Sequence, residues 1–440
     1  MSKEITDALL KKFAGEYEND PVQKAVRRAL YRTKLNDAAL VQENEGKVAD
    51  RFSIDIKTLP VTNQRQSGRC WIFSALNTLR EDTAKKLKLE KFEFSQNYVA
   101  FWDKLEKINF YMESVIELAD KGWDDRTLDW INRWGVSDGG QWDMFTALVE
   151  KYGLVPKDAM PETASSNATR TINTLTNRRL RRFCADVKAA AGDKDDIEAL
   201  KEDCLNELYR MQCSCFGVPP KKFDFEYVDK DNKYHCVKDL TPKAFFKKYV
   251  DWDFTDYASL IHSPTEDKPY YKRYTVKYLG NVVGKKVKHL NLPLDEFKKA
   301  VIDQLKDGKV VWFGSDCSPF GDRQGGFWAP ESFDFDSLFN IDFSITKEDA
   351  LNSRESAMNH AMVITGVNLD DGKPTKWKIE NSWGDEIAHK GYFVASDEWF
   401  DRYVYQAVVN KKYLSNKAMK AMNTKLIELE PWDPMGTLAD

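Results

Sequence analysis

The spacing of hydrophobic residues in the first third of the chain is mostly helical. Residues 1–50 predict an amphipathic helical arm, because apolar side chains recur there at helical intervals: Leu9, Leu10, Phe13, Val22, Ala25, Val26 and Leu30. Residues 51–63 instead alternate apolar and polar side chains as far as Pro60, which predicts a strand followed by a loop. Residues 70–87, 95–134 and 142–152 return to helical spacing. We therefore expect residues 51–160 to form a helical lobe.

The pattern changes in the rest of the chain. Residues 161–275 contain long charged segments, few glycines and five of the seven cysteines, and we predict an inserted helical domain there. Strand patterns follow, and they predict a sheet-rich lobe over residues 276–430: 275–279, 310–313, 361–367, 376–379 and 392–394. Helical segments first and strands later are typical of an α+β protein.

The composition narrows the class of protein. A chain of 440 residues corresponds to about three domains, and 42% hydrophobic residues are enough to fill a large core. The formal charge of −4, from 66 basic and 70 acidic residues, gives no general attraction to nucleic acid or to an anionic membrane. No apolar run approaches the ~18 residues that a membrane-spanning helix needs.

The expected compartment follows from the first residues and the cysteines. The start of the chain is charged throughout and lacks the hydrophobic segment of a signal peptide. Seven cysteines are too few for a disulfide scaffold of this length. We expect a cytoplasmic protein with reduced thiols.

The most informative local feature is a cysteine at the start of a predicted helix. Cys70 follows a loop that contains Gly68, and the partial positive charge of a helix N-terminus favours a thiolate there. Gln64, six residues earlier, is a neutral amide donor that could reach an oxyanion beside the sulfur, together with the Cys70 backbone N–H. Taken alone, Cys70 is also compatible with a buried structural role.

Two later segments offer partners for this cysteine. His360 begins an apolar strand and could donate a proton to a leaving amine. Asn381 ends another strand, and its carbonyl could fix the orientation and tautomer of an imidazole. Trp383 could cover that hydrogen bond and exclude water. Each of these residues, taken singly, is also compatible with an ordinary structural position.

Together these residues occur in an order that resembles papain-like cysteine peptidases: Gln, Cys-Trp, His, then Asn-Ser-Trp-Gly. Residues 65–71, 359–362 and 430–440 narrow the resemblance to the bleomycin hydrolase and aminopeptidase C branch, over essentially the whole chain. The resemblance implies an α+β, papain-like fold with a helical lobe, a β-barrel-like sheet lobe, a helical insertion and an N-terminal extension. It implies Cys70, His360 and Asn381 as catalytic residues and Gln64 in the oxyanion hole.

The resemblance also indicates where substrate binds. Gly139 and Gly140 resemble the segment whose backbone pairs with the substrate, and Trp383 is a further candidate for substrate binding. Residues 431–440 carry two prolines and the apolar Trp432, Met435 and Leu438, so we expect this arm to be docked. The resemblance implies that it lies in the cleft upstream of the scissile bond.

We hypothesise that Asp440 is removed from the end of this arm. The carboxylate of Ala439 would then pair with the α-ammonium group of the substrate. A surface-packed tail is the alternative interpretation of the same segment.

The expected function is that of an intracellular cysteine aminopeptidase. The resemblance implies hydrolysis of N-terminal residues from short peptides with a free N-terminus, through a thioester acyl-enzyme, by a homohexameric ring. We expect no cofactor, no metal, no membrane partner and no nucleic-acid partner. The cysteines between 204 and 236 do not have the spacing of a zinc site, and the basic run 178–182 is typical of a solvated helix face.

Two alternatives remain open at this point. One is a papain-like endopeptidase. The other is a ring-shaped nucleic-acid-binding protein whose amidase activity is incidental.

Overall fold

The computed structural model describes residues 4–190 and 192–439. Asp440, whose removal was hypothesised above, lies outside the described residues. The α-helices, labelled α1 to α16 in chain order, are Asp7–Glu18, Pro21–Leu30, Leu35–Ala39, Cys70–Leu87, Gln96–Glu117, Arg126–Trp134, Trp142–Tyr152, Ala164–Asn167, Arg170–Ala189, Lys194–Phe216, Pro242–Phe245, Leu294–Lys306, Phe335–Phe339, Lys347–Ser353, Asp397–Tyr403 and Asn416–Ala421. No helix in the described ranges is both long and apolar enough to cross a membrane.

The strands form one large sheet and one hairpin. They are labelled β1 to β14 in chain order: Ile54–Asp55, Phe223–Val228, Tyr234–Leu240, Tyr257–Ile261, Arg273–Val276, His289–Asn291, Val311–Ser315, Gly321–Asp322, Phe327–Trp328, His360–Asp370, Lys373–Glu380, Tyr392–Ser396, Val404–Asn410 and Leu426–Leu429. The large sheet has the order β14-β5-β6-β4-β13-β7-β10-β11-β12-β9-β8, and β1 pairs with β10. Its centre, from β4 through β13, β7, β10 and β11 to β12, is antiparallel.

The helical lobe packs around α4, which is buried over most of its length. Lys88 ends this helix in the left-handed conformation, at φ 54°, and its backbone N–H satisfies the last carbonyls. Ser95 then begins α5 by accepting a hydrogen bond from the Tyr98 N–H. The helices α4, α5 and α7 share one hydrophobic core with the near face of the sheet, where Trp312 and Tyr405 are fully buried.

Several sequence predictions agree with these bounds, and two need correction. The helix over 70–87 and the helix over 142–152 are observed as α4 and α7. The helical stretch 95–134 is interrupted after α5, and Asp125 caps the new helix α6 by accepting from the N–H groups of Thr127 and Leu128.

The second correction concerns residues 161–275, which we expected to be helical. They contain the long helices α9 and α10, but also the β2–β3 hairpin and strands β4 and β5. The hairpin forms because apolar and acidic residues alternate along β2, so one face can be buried. Phe225 on that face lies 5.0 Å from the ring of Phe245 and is 3% exposed.

Candidate active site

Cys70 is the first residue of α4, at the junction between the two lobes. Its Sγ lies 3.5 Å from the backbone N of Ala361, which donates to it from strand β10. The preceding loop is held across the junction, because the Gln64 N–H donates to the Ser382 carbonyl at 2.8 Å. The sulfur is thus placed beside the first residues of the strand that begins with His360.

His360 is oriented by Asn381, which directly follows the neighbouring strand β11. The ring Nε2 lies 2.9 Å from Asn381 Oδ1, which also accepts the Ser382 N–H at 2.8 Å. Because Oδ1 is an acceptor for that backbone group, Nε2 carries the proton in this pair, and Nδ1 remains for exchange with the thiol. Trp383 stacks on the imidazole, with ring centroids 5.0 Å apart and 27° between the planes.

Burial dominates the electrostatics of this pair. It raises the pKa of the Cys70 thiol to about 11, against the lowering effect of the N–H groups of Ala361, Trp71 and Cys70 itself. Burial also lowers the pKa of His360 to about 4, against the opposing effect of the hydrogen bond that its Nε2–H donates to Asn381. The N–H groups at the start of α4 therefore lower the pKa of the thiol, as expected, but the effect of burial on this pKa is larger. Burial therefore favours the neutral forms of both side chains over a thiolate and an imidazolium.

Gln64 lies in the loop just before the cysteine, and its side chain is 7% exposed. Its Nε2 donates to the Ser67 carbonyl at 2.7 Å, which leaves the second N–H of the amide for an oxyanion. The loop is stiffened by Ser67 Oγ, which donates to the Gln64 carbonyl at 2.7 Å and accepts from Arg69 Nε at 2.9 Å. Arg69 in turn is paired with Glu162 at 3.0 Å.

The glycine pair is in contact with the C-terminal arm. The N–H of Gly140 donates to the Leu438 carbonyl at 3.0 Å. A Cβ on Gly139 would lie 2.6 Å from that carbonyl oxygen, and one on Gly140 would lie 2.4 Å from the Trp71 ring. The docked arm leaves room only for glycine at 139, and the Trp71 ring leaves room only for glycine at 140.

The arm is anchored along residues 433–439. Met435 is fully buried and Leu438 is 3% exposed. Thr437 Oγ1 donates to the carbonyl of Met358, two residues before His360, at 2.8 Å. Asp433 forms an ion pair with Lys268 at 2.9 Å, and both side chains are less than a tenth exposed. The arm therefore touches both the glycine segment and the approach to the histidine strand.

Sequence reasoning missed Ser137, which contacts the end of the arm. Its Oγ donates to the Ala439 carbonyl at 2.6 Å. Gly139, two residues after Ser137, accepts a hydrogen bond at its carbonyl from Lys107 Nζ. Lys107 is also paired with Asp103 at 2.8 Å. These charges lie on α5, whose apolar pattern gave no sign that lysines on its buried face support the glycine segment.

Asp138 is a second residue that the sequence did not single out. Its carboxylate accepts from the Gly68 N–H at 3.0 Å and from Lys104 Nζ at 2.6 Å. Burial alone would raise the pKa of Asp138, but the Lys104 ammonium and the hydrogen bonds from Thr169 and Gly68 hold it well below its usual range. Asp138 thus connects the loop before Cys70 to the segment that contacts the arm.

The remaining candidates from the sequence are the cysteines between 204 and 236 and the basic run 178–182. Within residues 4–190 and 192–439, no group of three or more His, Cys, Asp or Glu side chains is arranged to hold a metal ion. The basic run on α9 is largely engaged within the chain, since Arg179 pairs with Glu207 at 2.6 Å and Arg182 with Asp186 at 3.4 Å.

Comparisons with known proteins cover the whole chain. A family model described as the peptidase C1-like family matches residues 4–436. An aminopeptidase C from Lactobacillus delbrueckii subsp. lactis is 50% identical over 446 aligned residues, which cover 100% of this chain and 99% of that protein. An aminopeptidase C from Listeria monocytogenes is 43% identical over the full length of both chains. The crystal structure of PepW from Lactobacillus rhamnosis HN001 is similar with a TM-score of 0.97, at 48% identity and 99% coverage of each chain.

Proposed function

This chain belongs to the peptidase C1-like family and is a cysteine aminopeptidase with a papain-like fold, and we propose that it releases one or a few residues from the free N-terminus of short peptides. The observation that carries this proposal is the hydrogen bond from the Gly140 N–H to the Leu438 carbonyl. The arm makes there the backbone contact that an extended peptide would make. A substrate can therefore extend only a short way upstream of the bond that is cut.

The proposed mechanism is acyl transfer through Cys70. The thiol gives its proton to His360 as the sulfur attacks the peptide carbonyl, and Gln64 with the Cys70 N–H stabilises the oxyanion. His360 then protonates the leaving amine and activates the water that hydrolyses the thioester. Asn381 keeps the imidazole in the required tautomer. Burial favours the neutral thiol and imidazole, so the transfer of the proton from Cys70 to His360 accompanies the attack on the substrate.

We propose that the arm also supplies the group that recognises the free amine. Removal of Asp440 would leave a carboxylate at Ala439, beside the hydroxyl of Ser137. A carboxylate there would attract the α-ammonium group of a peptide and disfavour an N-acylated one. The docking of residues 433–439 supports this role, because it fixes the end of the arm at the glycine segment.

The proposed assembly is a homohexamer in the cytoplasm. In support of an assembly, α1 has no buried residue, and its apolar side chains Leu9, Leu10 and Phe13 are 39%, 52% and 50% exposed. In support of a reducing compartment, all seven cysteines are free thiols. Light scattering of the purified protein tests the assembly, and the mass of a single chain in solution would reject it.

The function is tested by comparing an alanyl fluorogenic amide with its N-acetylated counterpart under reducing conditions. We expect the free amine to be preferred by about a hundredfold, which corresponds to about 3 kcal/mol. Equal rates would indicate an endopeptidase or a general amidase. No hydrolysis of either substrate, with the thiol intact, would reject the proposed function and favour the binding-ring alternative.

A further inference from the structure

An arginine lies one aromatic ring away from His360. Arg323 is exposed in the short loop between β8 and β9. Its guanidinium carbon lies over the indole of Trp383, 4.6 Å from the ring centroid. The same indole is stacked on His360. A permanent positive charge is therefore held at the edge of the site, in an orientation fixed by stacking.

This guanidinium has no carboxylate partner among the described residues. Among the side chains that the structure describes, which leave out those of residues 45–47, no Asp or Glu oxygen comes within 4.0 Å of its nitrogens. The neighbouring Asp322 is engaged with backbone, since it accepts from the N–H groups of Gln324 and Gly325 at 2.9 Å. Asp316 is likewise engaged, by Ser356 and Asn359 at 2.9 and 2.6 Å.

The positive charge of Arg323 opposes protonation of the nearby His360. After the burial described above, the charge of Arg323 is a further cause that lowers the pKa of His360. The reaction requires His360 to become an imidazolium before it protonates the leaving amine. A carboxylate bound directly to the guanidinium would offset this penalty, and no Asp or Glu side chain that the structure describes makes that contact.

The position of Arg323 relative to the arm indicates where such a charge would come from. Residues 435–439 of the arm hydrogen-bond with Ser137, Gly140, Gln141 and Met358, and the proposed function puts the acyl part of the substrate on this side. Arg323 lies instead against Trp383, which covers one face of the His360 ring. We place the leaving portion of the peptide on that side, because the arm occupies the acyl side.

We propose that Arg323 binds the C-terminal carboxylate of the leaving portion, so that the preferred substrates are very short peptides whose free carboxylate lies just beyond the scissile bond. This inference rests on the proposed function and deepens it. The arm limits the length of the substrate upstream of the cut, and Arg323 selects for a chain end downstream of it. The enzyme then recognises both charged ends of a di- or tripeptide: the arm binds the α-ammonium group, and Arg323 binds the terminal carboxylate.

The experiment compares Ala-Phe with its C-terminal amide, Ala-Phe-NH2, and with Ala-Asp-NH2, which carries a side-chain carboxylate instead. We expect kcat/KM of the wild type to favour Ala-Phe over Ala-Phe-NH2 by about fivefold at low salt, as for an exposed ion pair. The ratio should fall as salt is added. A preference for Ala-Asp-NH2 over Ala-Phe would assign Arg323 to an acidic side chain and overturn the chain-end assignment.

Substitutions assign the preference to Arg323. In Arg323→Gln the ratio of Ala-Phe to Ala-Phe-NH2 should fall to about one, and Arg323→Lys should retain part of it. The matched control is Arg182→Gln, an exposed arginine on α9, which should keep the wild-type ratio. A wild type without the preference, or an Arg323→Gln variant that retains it, would overturn the inference.

Two further measurements test the proposal if the first variant fails. If Arg323→Gln does not fold, Arg323→Lys and the salt dependence of the wild-type ratio decide, and a ratio that is insensitive to salt counts against the proposal. The alanyl fluorogenic amide carries no carboxylate and tests the aminopeptidase function separately. Hydrolysis of that amide without a carboxylate preference overturns only this inference, whereas no hydrolysis overturns both.

Discussion

The guanidinium of Arg80 lies 2.8 Å from the carboxylate of Glu380, and both side chains are 1% exposed. Arg80 is on α4, the helix that begins with Cys70, and Glu380 is the last residue of β11, directly before Asn381. Asn77, also on α4, donates to the same carboxylate at 2.9 Å. This ion pair therefore fixes the helix that begins with Cys70 against the strand that leads to Asn381, the hydrogen-bond partner of His360.

Replacing Glu380 with glutamine should destabilise the protein strongly. The variant leaves the Arg80 guanidinium buried with only part of its charge compensated, by Glu81 at 3.2 Å, and such a loss costs about 3 kcal/mol. Urea unfolding measures the change. Asp129→Asn, which breaks the exposed Arg133–Asp129 pair, should change stability by less than about 0.5 kcal/mol. Equal effects of the two variants would show that the buried pair has no special weight.

Replacing Asn381 with alanine should lower kcat/KM and move its acid limb to lower pH. Burial lowers the pKa of His360 to about 4, although the hydrogen bond that the ring donates to Asn381 acts to raise it. Without that bond the imidazolium is less favoured, so protonation of the free enzyme occurs at still lower pH. The pH profile of kcat/KM with the alanyl amide measures this. A shift of the acid limb to higher pH would contradict the assigned hydrogen bond.

Ending the chain after Asp433 should convert the enzyme toward endopeptidase action. The truncation keeps the ion pair with Lys268 and removes the residues that contact Gly140 and Ser137. The preference for the alanyl amide over its N-acetylated counterpart should fall from about a hundredfold to about one, because the charge pair with the substrate is lost. An unchanged preference in the folded variant would place amine recognition elsewhere.

Replacing Cys70 with alanine should abolish turnover and leave the fold intact. The intact mass of the same two proteins tests the fate of Asp440. We expect the wild type to be one aspartate residue lighter than its sequence, and Cys70→Ala to retain the full mass. A Cys70→Ala variant that is also one aspartate lighter would show that self-cleavage is not responsible for the removal.

Local pattern predicted much of the fold, and motif order predicted the candidate site. The bounds of α4 and α7 follow from apolar spacing, because one face of each helix is buried along its length. The residues Cys70, His360 and Asn381 were recognisable because each stands at the end of a regular element, where a side chain can reach a cleft.

The remaining features depend on contacts between distant segments. The lysines at 104 and 107 lie on the buried face of α5, and only the folded chain brings Asp138 and Gly139 to them. The β2–β3 hairpin was missed because its charged neighbours resembled a helical surface. Arg323 gave no signal at all, since its meaning depends on Trp383, sixty residues later in the sequence.

In the proposed function, the length of the docked arm sets how many substrate residues fit upstream of the scissile bond. Burial of Met435 and Leu438 fixes the register of the arm as far as Ala439, whose carbonyl accepts from Ser137 Oγ. In most peptidases the shape of a pocket decides where the cut falls. If the arm limits the substrate as proposed, one residue more or fewer at the chain end would change how many residues each product contains, although no residue of the cleft had changed.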